Sequence, residues 1–314
     1  MNLRTVLTSS LTALALVGCS GERQLFSPVD VDRLVVYTML YVDQRFPEIV
    51  LYRTQPPDQT FDIGNAAERG ASITIQYDSV TVYYLETSLP GRYHASFSIP
   101  SVPDVVTPET TYLLRVRTRS GEQLTATTTT PPRLRVSDWV LLDNRGTTVE
   151  RRLKTFAEMG DSVYYAPENQ LVYSEGLLEA WMNPVETAAY QAGIYSLDLD
   201  SDFVIDPEFL DDEDFAEFER NVASPPILPS ETTIRLPWFA IYFEGRYKIK
   251  IFAVDANWYD LARTVPDLRG GGGGAFGGNT GDDFARPTFN VQGGIGVFGS
   301  ASVDSVGFTV HPRP

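Results

Sequence analysis

Residues 293–300 read GGIGVFGS, and Gly294, Gly296 and Gly299 stand in the G-x-G-x-x-G order of a loop that cradles a pyrophosphate. That chemistry needs a strand ending in the glycine turn, a helix whose free N–H groups begin there, and an acidic residue about 20 positions on. Here the residues after Gly299 alternate as a strand, leaving no room for a strand–helix–strand unit, and no Gly-Lys-Ser/Thr follows. Gly272, Gly274 and Gly277 satisfy the same spacing through composition alone. A nucleotide is therefore not expected. Gly293, Gly294, Gly296 and Gly299, with Ile295, Val297 and Phe298 between them, instead fit a kinked strand or bulge where another backbone comes too close for side chains.

Other reactive constellations are sparse. The two histidines are His94, inside an expected strand, and His311, so a Ser-His-Asp or histidine–metal site would have to be built around one of them. Forty-one Asp and Glu residues always offer pairs for glycosidase chemistry. Spacing singles out none, and a solvated acidic surface is the default. Asp198, Asp200 and Asp202 form the D-x-D-x-D start of a loop whose alternate oxygens converge on calcium. Phe203 then occupies the place of the sharp-turn glycine and Phe209 that of the closing bidentate Glu, so calcium would need a different ligand set. As strand residues the three aspartates would share one solvent face. No other cofactor is expected.

The most specific signal is Cys19. Arg4 supplies a short positive region, Leu7 to Val17 is an apolar run too short to span a bilayer comfortably, and Leu16-Val17-Gly18-Cys19 follows. This order resembles a bacterial lipobox, in which the thiol takes a diacylglycerol, the peptide is cut before it and the new amino terminus is acylated. Residues 1–18 are then a signal peptide and 19–30 a tether. Acyl chains contribute about 0.8 kcal/mol per buried CH₂, enough for a firm anchor without a transmembrane helix. With the only cysteine committed to lipid, disulfides and thiolate metal sites are excluded. A net charge of −16 argues against nucleic acid.

Hydrophobic residues at 43% and aromatics at 12% can fill a sizeable core. The dominant period along the chain is two. Runs at 34–42, 48–54, 71–77, 80–86, 92–99 and 111–118 are β-branched and aromatic, separated by Pro56-Pro57, Gly64-Asn65, Pro90-Gly91 and Ser120-Gly121. Tyr112, Leu114 and Val116 alternate with Thr111, Leu113, Arg115 and Arg117, as in a half-buried strand. A Thr-rich strand and Pro131-Pro132 close this first domain, 31–132. The second, 133–314, is expected to hold strands within SDWVLLDN, SVYYAP, LLEAWMNP, AAYQAGIYSLDL, TTIRLPWFAIYF and RYKIKIFAVD, then a short helix from Trp258 to Thr264. Tyr247, Ile249, Ile251 and Ala253 face one way there, Lys248 and Lys250 the other. An acidic insertion, 198–226, carries a helix opening at Asp206-Pro207 with Phe215, Phe218 and Val222 on its apolar stripe. A Gly-rich loop fills 269–283.

GGIGVFGS preceded by an asparagine, the cysteine at 19, LVVYTMLYVDQ, ERGASITI, PGRYHA, YLLRVRTRSGEQLTATTTTPP and YKIKIFAVDANWYDL together make the chain similar to an uncharacterised lipoprotein family of Bacteroidota-type bacteria, domain of unknown function 4249. The resemblance covers most of the mature chain. It implies an all-β protein with two β-sandwich-like domains, the first immunoglobulin- or transthyretin-like and the second β-rich, on an outer-membrane lipoprotein. It supplies no catalytic residue. SGERQ after Cys19 is not an acidic export tag and leaves periplasmic and cell-surface orientations both open. The expectation is a non-catalytic, lipid-anchored binding or assembly module with an envelope protein partner, accessory to an outer-membrane transport or export complex. The alternative is an exported carboxylate-based glycan hydrolase or carbohydrate-binding protein.

Overall fold

The computed structural model describes residues 32–56, 60, 62–97, 104–204, 220–264 and 288–314. Cys19, the Gly-rich loop 269–283 and most of the helix expected after Asp206 lie outside them. The chain is a mainly β protein of sandwich-like sheets, as its two-residue periodicity implies.

The first half holds β1 (Leu34–Tyr41), β2 (Ile49–Arg53), β3 (Ser72–Tyr77), β4 (Val80–Glu86), β5 (Arg92–Ser96), β6 (Thr111–Arg117) and β7 (Gln123–Thr129), with short turns joining β3 to β4, β4 to β5 and β6 to β7. In β6, Tyr112, Leu114 and Val116 are buried while Thr111, Arg115 and Arg117 are exposed, the alternation that a half-solvated sheet demands. The second half contributes β8 (Val136–Leu142), β9 (Val149–Arg152), β10 (Gln170–Val172), β11 (Leu177–Met182), β12 (Ala189–Ser196), β13 (Asn221–Ala223), β14 (Thr233–Leu236), β15 (Gly245–Val254), a helix at Ala256–Thr264 and β16 (Ile295–His311).

Strand order in the larger sheet is β13-β12-β15-β16-β1-β2-β5-β4-β3-β6-β7, with β10 pairing β16 off that path. The smaller sheet runs β14-β11-β8-β9. The 17-residue β16 links the halves: residues 295–301 run parallel to β1, and 301–310 run antiparallel to β15. Through residues 295–301, which pair with β1, the two stretches 31–132 and 133–314 share one sheet.

Each half keeps its own core. Leu34, Val36, Ile75, Tyr93, Tyr112 and Leu114 cluster in the first half, joined by Phe298 from β16. In the second, Trp139, Leu178 and Ile234 from the smaller sheet meet Ile194, Ile249, Ile251 and Phe308 from the larger.

Two local expectations are corrected. SVYYAP is not a strand: Gly160–Tyr165 is a 3-10 turn in which Tyr164 is buried and its ring packs over Gly307. Val222 does not sit on a helix. It lies in β13, antiparallel to β12 opposite Ile194, so the described end of the acidic insertion 198–226 is an edge strand. Trp258 to Thr264, by contrast, do form the expected helix, which begins at Ala256.

Candidate functional site

The glycine segment is committed to packing. Val36 and Gly296 pair where β1 and β16 run parallel. Gly296 has φ 121° and Gly293 φ 78°, and a Cβ would collide with the carbonyl oxygen of Val36 at the first and of Gln123 at the second. At Gly294 it would lie 2.7 Å from the Leu34 carbonyl oxygen, and at Gly299 2.7 Å from Met39 Sδ. From Ile295 on the segment is strand, with no helix start to receive a phosphate. At Gly293, Gly294 and Gly296 a neighbouring backbone carbonyl takes the space of a side chain, whereas at Gly299 it is the Met39 side chain. The backbones approached belong to β1 and β7 of the first half.

Beside this segment lies a buried polar joint. Asp255 precedes the helix Ala256–Thr264, and its Oδ1 accepts the Trp258 N–H at 2.9 Å. Its Oδ2 accepts the Thr128 hydroxyl at 2.5 Å and the Asn257 amide at 3.1 Å. Thr128 is also 2.8 Å from Ser300 Oγ. Asn290 donates to the Phe298 carbonyl at 2.8 Å and accepts the Phe298 N–H at 3.0 Å, fixing the strand entering the joint. Burial pushes the Asp255 carboxyl above its ordinary value of 3.8, against the hydrogen bonds that favour its charge. Every group here has a partner within the protein, so the joint holds structure together and presents no reacting atom.

The opposite character appears on the outer face of the sheet formed by β12, β15, β16 and β1. By register, one row runs Ala189, Val254, Ala301, Tyr41; the next Gln191, Phe252, Val303; the next Gly193, Lys250, Ser305; the last Tyr195, Lys248, Gly307. Trp258, on the helix, meets Tyr41 edge-on at 6.0 Å and Phe252 at 5.4 Å between ring centroids, and its indole N–H donates to Gln191 at 2.9 Å. Tyr195 lies along the sheet over Gly193, where an added Cβ would come within 2.8 Å of its ring. Burial pushes the Tyr41 hydroxyl up to about 12, with Tyr195 and Tyr37 adding to the shift, which puts the three phenols in one neighbourhood. Tyr37 is 55% exposed. Lys250 Nζ sits 4.8 Å from the Tyr195 ring centroid and Lys248 Nζ 4.5 Å from that of Phe156. Both halves of the chain build this face, and it is the candidate site.

The model of the family described as domain of unknown function 4249 (DUF4249) matches residues 26–306. The chain belongs to this family. Among curated proteins no sequence matches the chain. Among solved structures, the chain is similar at 9% identity and a TM-score of 0.21 to one described in work on host cell surface retention of a 1.5-MDa bacterial ice-binding adhesin, covering 91% of this chain and 66% of that one. It is similar at 12% identity and a TM-score of 0.16 to the FN1–FN3 domains of chicken CNTN1, covering 72% and 61%. The chain thus spans less than two-thirds of either structure's length, and superposition this loose carries no functional information.

Elsewhere in this DUF4249 protein, Asp198 accepts the Arg246 backbone N–H at 2.7 Å and its guanidinium at 2.5 Å, which holds the carboxyl below its usual range. Asp200 and Asp202 do not join it in a cage. Among the described residues no group of three or more His, Cys, Asp or Glu side chains is placed to hold a metal ion. His94 pairs with Leu85 across β4 and β5, and His311 Nε2 lies 2.9 Å from Gln170 Oε1 on the other half. Sequence reading put Lys248 and Lys250 on the solvent side of their strand but did not join them to Tyr37, Tyr41, Tyr195 and Trp258. One signal was available: the chain has three lysines, and two of them stand at i and i+2 here.

Proposed function

We propose that this DUF4249 protein is a non-catalytic lipoprotein, anchored in the outer membrane through Cys19, that serves as a binding or assembly module for an envelope transport or export complex. The observation that carries the binding role is the face bearing Tyr37, Tyr41, Tyr195 and Trp258, seated on the buried Phe252. Aromatic side chains offer large apolar area with little rotamer freedom to lose, and tyrosine adds a polar tip, which is why such residues anchor interfaces. The face extends across β1 and β16, so the long strand that unites the halves also makes their outer surface continuous. The two buried cores and the joint at Asp255 hold that surface in one shape, which lowers the ordering cost of binding.

The test is site-specific photocrosslinking in intact cells, with a crosslinking side chain at Tyr37 or Tyr195 and, as a control, at the exposed Glu150 of β9. Adducts at 37 and 195 but not at 150 are expected. Equal labelling at all three, or labelling at 150 alone, defeats the assignment of the face.

A further inference from the structure

We propose that the outward face of β3, β4 and β6 lies on the bilayer that holds the Cys19 anchor, with its arginines against lipid phosphates and its exposed apolar side chains among the headgroups; this rests on the reading of Cys19 as acylated. Register places the face. One row runs Thr125, Arg115, Thr74, Tyr83, Ser96 and the next Gln123, Arg117, Ser72, Leu85, His94. The alternate residues Ile73, Tyr84, Leu114 and Val116 point the other way, into the first core. Tyr83 and Leu85 are 57% and 53% exposed, and Leu89, in the turn that follows β4, is 57% exposed. Large apolar side chains grouped on one open face mark a surface that meets something less polar than water.

Charge gives the second argument. Arg115, Arg117 and Arg119 follow one another at every second position along β6 and just past it, and all three are exposed. Arg119 lies over Gly70, beside the exposed Arg69. Among the described residues none of these four forms an ion pair. The carboxylates at the same end are already engaged. Asp32, Glu68 and Glu122 gather on Arg53, and Glu48 is held by Arg92 at 2.5 Å. Glu86 accepts the Gly70 N–H at 2.7 Å and Asp62 the Asn65 N–H at 2.9 Å. With Arg33, the arginines of this end match those acids in number, so it is close to neutral in a chain of net −16 and is the part that an anionic surface repels least. The guanidinium groups left over are the ones that can fork onto phosphate oxygens.

The tether enters at this end, and that selects a lipid surface as the occupant. Arg53 Nη1 donates to the carbonyl of Asp32 at 3.0 Å and to its carboxylate at 3.2 Å, while the same guanidinium holds Glu122, the residue before Gln123 in the row of Arg117 and Leu85. Asp32 stands 13 positions after Cys19, a span of at most about 45 Å. An acylated Cys19 therefore keeps the face within reach of its own leaflet, where a contact made by a tethered partner needs little affinity of its own. Tyrosine at headgroup depth and arginine near anionic lipid are the side chains such an interface favours. The candidate site with Tyr37 is built on other strands, so seating this face on lipid leaves that site open.

The experiment places the mature protein, purified from membranes, in vesicles of phosphatidylcholine and phosphatidylglycerol that carry a doxyl quencher near the headgroups. With Cys19 acylated, Leu89→Cys supplies a single free thiol for a fluorescent dye, and Glu150→Cys on β9 carries the same dye as a control. Quenching at 89 should be several-fold stronger than at 150. Changing Arg115, Arg117 and Arg119 together to Gln should bring 89 down to the control level, and changing them to Lys should restore it, with all variants still sedimenting with the vesicles and melting alike. Equal quenching at 89 and 150, or quenching at 89 that the Gln variant keeps, overturns the inference while the sedimenting protein leaves the anchor in place. A purified protein whose mass shows no acyl chain on Cys19 removes the underlying reading, and the inference with it.

Discussion

Val36 and Gly296 stand opposite one another where β1 meets β16, and the carbonyl oxygen of Val36 fills the space that a side chain at 296 would need. The strand late in the sequence is thereby keyed to the first strand of the fold. Arg33 reinforces the fit from the same end, its guanidinium donating at 2.9 Å to the carbonyl of Gly294 across 261 residues of chain.

Replacing Gly296 with Val should therefore damage the first half. Overpacking costs about 1–3 kcal/mol, and the positive φ adds strain of about the same order. A lowered melting temperature and faster amide exchange in β1 are expected. Unchanged protection of β1 would show that β16 is not keyed as described.

Asp255 should give the fold a pH dependence of unusual sign for a carboxylate. Its folded value is raised, so the folded state binds more protons than the unfolded one; the stabilisation is fully present below the ordinary value of 3.8 and is lost as pH rises through the raised value. In urea titrations from about pH 4 to about pH 8, subtracting Asp255→Asn from wild type should leave this fall. Parallel curves for the two proteins would contradict it. Asp255→Ala should cost about 1–2 kcal/mol through loss of the helix cap.

The Asp198–Arg246 pair titrates the other way. Its depressed carboxyl contributes stability above the unfolded value, lost as pH falls through the folded one. With the two side chains 30% and 41% exposed, Asp198→Asn should cost less than about 1 kcal/mol. Since the guanidinium occupies Asp198, neither calcium nor a chelator should move the melting temperature. A calcium-dependent rise would restore the metal reading of Asp198, Asp200 and Asp202.

Acylation needs a thiol, so Cys19→Ser should leave the membrane fraction and appear soluble or with its signal peptide uncut. Mature Cys19→Ser protein that still sediments with membranes would refute the lipid anchor.

Much of the fold was legible because strands announce themselves locally. Thr111–Arg117 and Tyr247–Val254 alternate in sequence as they do in burial. The helix after Asp255 was also readable. Pairing between β1 and β16 was not, since no local pattern encodes a parallel neighbour more than 250 residues away; the glycines declared a close approach without declaring to what. The turn at Gly160–Tyr165 misled because Val163, Tyr164 and Tyr165 have strand propensity, which packing of Tyr164 over Gly307 overrode. The candidate face escaped notice because its members come from residues 37 to 258, united only by register.

The placement of β16 also sets an order of events. As the chain emerges from a ribosome or a translocation pore, β1 has no neighbour on one side until residues 295–301 arrive, and Phe298 is missing from the first core until then. Contacts this distant close slowly. A nascent chain would thus stay loose and threadable through most of its synthesis, and a product truncated before residue 295 would expose an open β1 edge to aggregation and proteolysis.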